Sequence, residues 1–181
     1  MSTTLLPSVT APAAPAAAPA SSAALPALLA PTPAGLGRVA TELLARPLLW
    51  RHLVRFDEGE RHYVRLGAGD GYEAWLLTWL PGQGTGLHDH GGSAGAFVVA
   101  GGTLRETVPA ARGGATTLRA QTLTAGRVRA FGSRHVHDVE AASSAAVSLH
   151  VYAPALATMT RYRLDDGRLV VTAREGAGAD W

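Results

Sequence analysis

From Tyr63 onward the apolar residues fall into short runs separated by glycine-rich turns: HYVRL, YEAWLLTWL, AFVVAGGTLRETV, TTLRAQTL, RVRAF, HVHDVEA, AAVSLHVYA and RLVVTA. Runs of this kind, bounded by turn residues, predict strands, and a succession of them predicts a sandwich or barrel. AGG at 100–102 and DDG at 165–167 read as hairpin turns in which glycine supplies a positive φ. Upstream, Leu36, Val39, Leu43 and Leu44 recur at helical spacing, and Pro47 ends or kinks that helix. A helix this short is expected to cap a sheet. Residues 1–34 lack either period: prolines forbid a continuous helix and the small apolar side chains build no core. The expected organisation is a disordered Ala/Pro-rich leader over 1–34, a barrel domain over 35–175 and a tail over 176–181. A targeting role for the leader is the weaker alternative, since Pro7, Pro12 and Pro15 interrupt any signal-like apolar stretch.

Three segments place polar side chains on one strand face. His88 and His90 stand two apart, as do His135 and His137, and Ser148, His150 and Tyr152 alternate with Val147, Leu149 and Val151. Residues at i and i+2 of a strand point the same way, so each pair aims at one place. The Ser-x-His-x-Tyr face carries no charged residue, which is unusual for a merely solvated face. In a small barrel such strands aim at one interior point. Three imidazoles with no strand carboxylate would leave a divalent ion with open positions for an anionic ligand, and by ligand type zinc and iron fit equally. Glu106 and Asp89 are the nearby acids, and Asp89 points away from its flanking histidines.

Composition narrows the classes. A chain of 181 residues with 47% hydrophobic content suits one globular domain. The net charge of +2 comes with basic residues that are all arginine and scattered, so no nucleic-acid patch forms. No apolar run approaches the ~20 residues of a membrane span. With no cysteine the chain has neither disulfides nor a thiol nucleophile.

PGQGTGLHDHGGSAGAFVVAGG resembles the first cupin motif, with Gly82, His88, His90 and Gly102 in its slots. The usual glutamate ligand slot holds Ala94 or Gly95. The second motif is weaker: Gly126 fits, Gly132 stands in the proline slot, and His137 takes the histidine slot. His135 has no counterpart there and reads as a polar turn residue. Within the cupins the chain is similar to the cysteine dioxygenase (thiol dioxygenase) family through YVR at 63–65, Trp79, HDH at 88–90, HDVE at 137–140 and SLHVY at 148–152. The resemblance implies an all-β cupin barrel with a short N-terminal helix. It implies a mononuclear Fe(II) held by His88, His90 and His137, Arg65 on the substrate carboxylate, a Tyr152–His150–Ser148 relay, and Tyr63 and Trp79 beside the pocket. The implied partners are a small thiol amino acid and O₂, in the cytoplasm, with L-cysteine converted to cysteine sulfinate. Animal members carry a cysteine at the position of Gly95, cross-linked to the tyrosine matching Tyr152; here that phenol is expected to be unmodified. A 3-mercaptopropionate dioxygenase is the close rival. Those relatives have glutamine in the Arg65 position and an arginine after the relay tyrosine, and Arg161 keeps that reading open. A non-enzymatic metal-binding cupin is the alternative of another class, against which the Ser-x-His-x-Tyr face and Arg65 argue.

Overall fold

A computed structural model describes residues 24–69 and 71–176; the leader over 1–23 and the tail from 177 lie outside the described residues. The helix α1 (Pro33–Leu44) begins where Thr32 accepts a hydrogen bond from the Gly35 amide at 3.1 Å, with Pro33 in the first turn. It ends before Pro47, and the Trp50 indole donates to the Leu43 carbonyl at 2.9 Å. Two short 3-10 turns, Pro47–Leu49 and Arg51–Leu53, lead into the strands.

Ten strands follow: β1 Tyr63–Gly69, β2 Tyr72–Trp79, β3 Ala94–Gly101, β4 Thr103–Arg112, β5 Ala115–Thr124, β6 Val128–Phe131, β7 Asp138–Ala141, β8 Ala146–Ala153, β9 Thr158–Asp165 and β10 Arg168–Gly176. They form a five-stranded sheet in the order β1-β2-β8-β3-β6, a three-stranded sheet β5-β4-β7 and a β9–β10 hairpin. The class is all-β with one short helix, in keeping with the alternation of the sequence.

Two cores flank the larger sheet. Helix α1 lays Leu36, Val39, Ala40 and Leu43 on its outer face, against Leu76, Ala96, Val98, Leu149 and Val151. The inner face meets the smaller sheet through Trp79, Phe97, Val99, Leu104, Leu123, Phe131 and Val139. Burial of this kind contributes about 1.5–3 kcal/mol per large aliphatic side chain. Because β8 is covered on both faces, its polar face cannot be a solvated one: Ser148, His150 and Tyr152 are all buried.

Three features differ from the sequence expectation. AGG at 100–102 does not close a hairpin, because β3 and β4 belong to different sheets. The chain crosses there between layers, with Gly102 at φ 73° and so near its neighbours that a Cβ would lie 2.2 Å from the Ala145 carbonyl oxygen. DDG does close the β9–β10 hairpin, with Asp166 and Gly167 both at positive φ. Strand β9 is absent from the predicted runs. Lastly, part of the expected leader is packed: Leu25 and Leu28 lie against the helix-side core, and the Tyr72 hydroxyl donates to the Pro26 carbonyl.

Candidate functional site

His88 and His137 are brought together by the backbone. Each donates its amide to the other's carbonyl, at 2.9 and 3.0 Å, in an isolated antiparallel bridge. Side chains opposed in such a bridge share a face, and His90 follows two residues on. The three rings lie 4.8–5.1 Å apart between centroids, all buried, with one nitrogen from each within 4.8 Å of the others. His88 Nδ1 sits 2.9 Å from the Gly86 carbonyl and His137 Nδ1 sits 2.8 Å from Glu106 Oε1. Since both partners are acceptors, both rings carry the proton on Nδ1 and keep the Nε2 lone pair for the shared centre. His90 has no hydrogen-bond partner for either nitrogen among the described residues. An orphaned buried polar group costs about 1–3 kcal/mol, a cost that coordination of a cation removes. The donor set therefore fits a metal ion.

The loop bearing His88 and His90 is clamped from behind. Asp89 turns away from the centre and accepts from the amides of Gly91 and Thr160, at 2.9 and 3.2 Å, and from the Tyr162 hydroxyl at 2.6 Å. The Asp89 amide donates to the Thr160 carbonyl, and the Tyr162 amide to that of Leu87. Strand β9 thus holds the HDH segment in place.

His135 is not in the triad. It stacks on Phe131 and donates from Nε2 to Glu106 Oε1 at 3.0 Å. Glu106, His135 and His137 also lie close enough to hold an ion. However, the Glu106 carboxylate already accepts from four groups: His135, His137, Gln121 and the Arg129 guanidinium, the last at 2.6 Å. That cluster is a filled hydrogen-bond network.

Ser148, His150 and Tyr152 form a hydrogen-bonded chain along one face of β8. The Trp79 indole, which only donates, bonds Ser148 Oγ at 2.9 Å. One set of protons that satisfies every bond has Ser148 donating to His150 Nε2 at 2.8 Å and His150 Nδ1 donating to the Tyr152 oxygen at 3.1 Å. With that set of protons the Tyr152 hydroxyl, which lines the cavity, is free to donate into it. Burial holds His150 well below the ordinary histidine value and pushes the Tyr152 phenol well above its own, so the wire is neutral and protonated at physiological pH.

Burial, reinforced by neighbouring imidazoles, likewise holds His88 and His90 well below the ordinary 6.5, and His137 is lowered despite its bond to Glu106. A depressed folded value means the unfolded chain binds more protons below about 6.5, so stability from these groups is present above that pH and lost as pH falls. The melting temperature of metal-free protein is expected to be level from about pH 8 to 7 and to drop steadily from about pH 6.5 to 5. A flat profile would mean that the rings protonate freely inside the fold.

Beside the triad lies a cavity of about 460 Å³, its open mouth included, walled by Trp75, Leu77, Val139 and Met159 and reached by His88, His137, His150 and Tyr152. Tyr63 and Trp79 line it. Arg65 does not. It is about half exposed and pairs through Nε with Glu73 Oε2 at 3.0 Å. The arginine lining the cavity is Arg61, whose guanidinium lies 4.9 Å from the Trp79 ring centroid and donates from Nη1 to the Gly84 carbonyl at 3.1 Å. Its Nε is buried without a partner among the described residues. Arg161 is also outside the cavity lining, held by Glu175 and by the Thr85 carbonyl at 2.6 Å. Sequence reading passes over Arg61, although it shares the parity of Tyr63 in ERHYVR, and over Phe131, whose ring stacks on His90 at 4.9 Å.

The family model described as cysteine dioxygenase type I matches residues 38–165, a span that takes in the three histidines and the polar face of β8. Among solved structures, the TT1209 protein of Thermus thermophilus is 23% identical, with 58% of this chain and 93% of that one covered at a TM-score of 0.47. A Klebsiella pneumoniae protein with a double-stranded β-helix domain is 16% identical, with 68% and 93% covered at 0.48. A cupin superfamily protein from Desulfitobacterium hafniense is 16% identical, with 60% and 90% covered at 0.48. No curated protein sequence matches the chain.

Proposed function

The chain belongs to the cysteine dioxygenase type I family, thiol dioxygenases of the cupin superfamily, and on that premise we propose that it adds O₂ to the thiol of L-cysteine to give cysteine sulfinate. The observation that carries this reading is the pairing of a buried three-histidine centre with a neutral phenol donor and one cavity-lining guanidinium. The balance is R–SH plus O₂ to R–SO₂H, with both oxygen atoms ending on sulfur. His88, His90 and His137 would hold Fe(II), which when bound supplies the site where thiolate and O₂ meet.

The remaining work falls to side chains. Arg61 takes the substrate carboxylate with its planar fork, a role for which Arg65 lies too far out, engaged by Glu73. Stacking against Trp79 and the bond to Gly84 fix the guanidinium plane before substrate arrives. Tyr152 directs its hydroxyl proton at the reacting oxygen, while His150, Ser148 and Trp79 keep that proton pointed inward. Trp75, Leu77, Val139 and Met159 exclude water from the sulfur. No helix among the described residues is long and apolar enough to cross a membrane. A cytoplasmic setting, where small thiols stay reduced, is part of the same reading.

The deciding experiment records O₂ uptake by Fe(II)-loaded protein with L-cysteine, 3-mercaptopropionate and cysteamine. L-cysteine is expected to be fastest, and cysteamine, which lacks the carboxylate, slowest. Faster turnover of 3-mercaptopropionate would replace the cysteine assignment, and no uptake with any thiol would favour a metal-binding cupin without catalysis.

A phenol kept protonated can act as donor, so Tyr152→Phe is expected to lower kcat by roughly 10–100-fold with iron content unchanged. Unchanged turnover would make the buried polar face of β8 structural only.

A further inference from the structure

We propose that Glu106 is a positioning residue that delivers negative charge to the metal centre through the His137 ring, in place of the carboxylate ligand that the centre lacks. This rests on the reading of His88, His90 and His137 as metal ligands. Three neutral imidazoles compensate none of a divalent ion's charge, and Ala94 or Gly95 stands where a glutamate ligand would. Among the described residues, Glu106 and Glu73 are the two buried acids, and Glu73 is engaged at Arg65 and the Leu156 amide. Of these two, Glu106 alone touches a ligand ring.

The three ligands differ in what stands behind them. His137 Nδ1 faces a carboxylate at 2.8 Å, His88 Nδ1 faces a neutral carbonyl at 2.9 Å, and His90 faces no acceptor among the described residues. A carboxylate behind Nδ1–H draws that proton toward itself and raises the electron density on Nε2, the nitrogen left for the metal. His137 is thereby the strongest donor of the three.

Placement follows from the small sheet. Glu106 sits on β4 opposite Val139 of β7 and Gln121 of β5, so it is flanked by both neighbours and fully enclosed. A carboxylate there is costly to bury, and an apolar side chain would fill the volume at less cost in stability. The four donors around it keep it ionised, and one of them, Arg129, carries compensating positive charge at 2.6 Å and is itself partly exposed. Stability alone does not call for an anion at this point; the ligand ring does.

This arrangement makes two substitutions act in opposite directions. Glu106→Gln keeps the shape and removes the charge. Arg129→Met keeps the charge and removes its compensation. The full-length protein is prepared metal-free, its folding checked by circular dichroism, and then loaded with Fe(II). Two quantities are read: affinity by competition with a chelating dye, and the Fe(III)/Fe(II) midpoint potential by redox titration. Glu106→Gln is expected to bind Fe(II) about 10–100-fold more weakly and to shift the potential upward. Arg129→Met is expected to bind at least as tightly as the parent and to shift the potential downward. A general loosening of the small sheet would move both variants the same way, and that result overturns the proposal, as does an unchanged potential in both. If Glu106→Gln does not fold, the downward shift in Arg129→Met supports the proposal and its absence overturns it. A parent protein that binds no Fe(II) would overturn the ligand assignment itself, a distinct failure that takes this inference with it.

Discussion

Alanine at His137 is expected to leave the protein without stoichiometric iron after desalting, whereas alanine at His135 leaves most of it bound. Both histidines touch the same oxygen of Glu106, so proximity alone does not separate them. What separates them is the free nitrogen. His137 bonds Glu106 through Nδ1 and turns Nε2 to His88 and His90, while His135 spends Nε2 on Glu106 and lies flat on Phe131. Loss of a partner outside the metal's own ligands typically costs roughly 10–100-fold in affinity, and loss of a ligand costs more. Metal analysis after gel filtration checks the pair. Equal loss in the two variants would assign both rings to the centre.

Replacement of Arg61 by alanine is expected to lower kcat/KM for L-cysteine by at least ~30-fold, and the same change at Arg65 by no more than about fivefold. Removing one partner of a buried charge pair costs about 2–5 kcal/mol, and each ~1.4 kcal/mol is tenfold. Arg65 by contrast makes a half-exposed ion pair, a class that contributes about 0–1 kcal/mol. Steady-state O₂ uptake with each variant gives the ratio, and a rise in KM with kcat preserved would show binding lost equally in ground and transition states. A larger loss at Arg65 would return the carboxylate to the residue that family resemblance implied.

Period-two alternation makes much of the site readable. It lines up Ser148, His150 and Tyr152 because their relation is local to strand β8, and it puts His88 with His90 although they stand on a loop with an isolated bridge at His88. Arg61 is not readable, since it precedes β1 and its direction is set by the Trp79 ring and the Gly84 carbonyl, both distant in sequence. Strand β9 escapes for a similar reason: TMTRYRLD alternates, but its polar groups bind Asp89, Glu175 and Thr85 instead of facing solvent. AGG misleads because a glycine at positive φ serves a layer crossing as well as a hairpin, and only strand pairing tells them apart. The Pro-rich segment before α1 looks unable to pack, yet Leu25 and Leu28 find the edge of a core built by other residues.

Gly95 lies opposite Tyr152 on one side and Phe131 on the other. A Cβ there would come within 2.5 Å of the Phe131 ring and 3.0 Å of the Tyr152 ring. Phe131 has little room to yield, being stacked between His90 and His135 at 4.9 and 4.8 Å. A cysteine at 95 would therefore be placed to meet the phenol only by pushing aside the ring stacked on His90, one of the proposed metal ligands. A thioether of the kind that the family resemblance implies for animal members therefore asks for two changes here: a cysteine at 95 and a smaller residue at 131, the single substitution being expected to disturb His90.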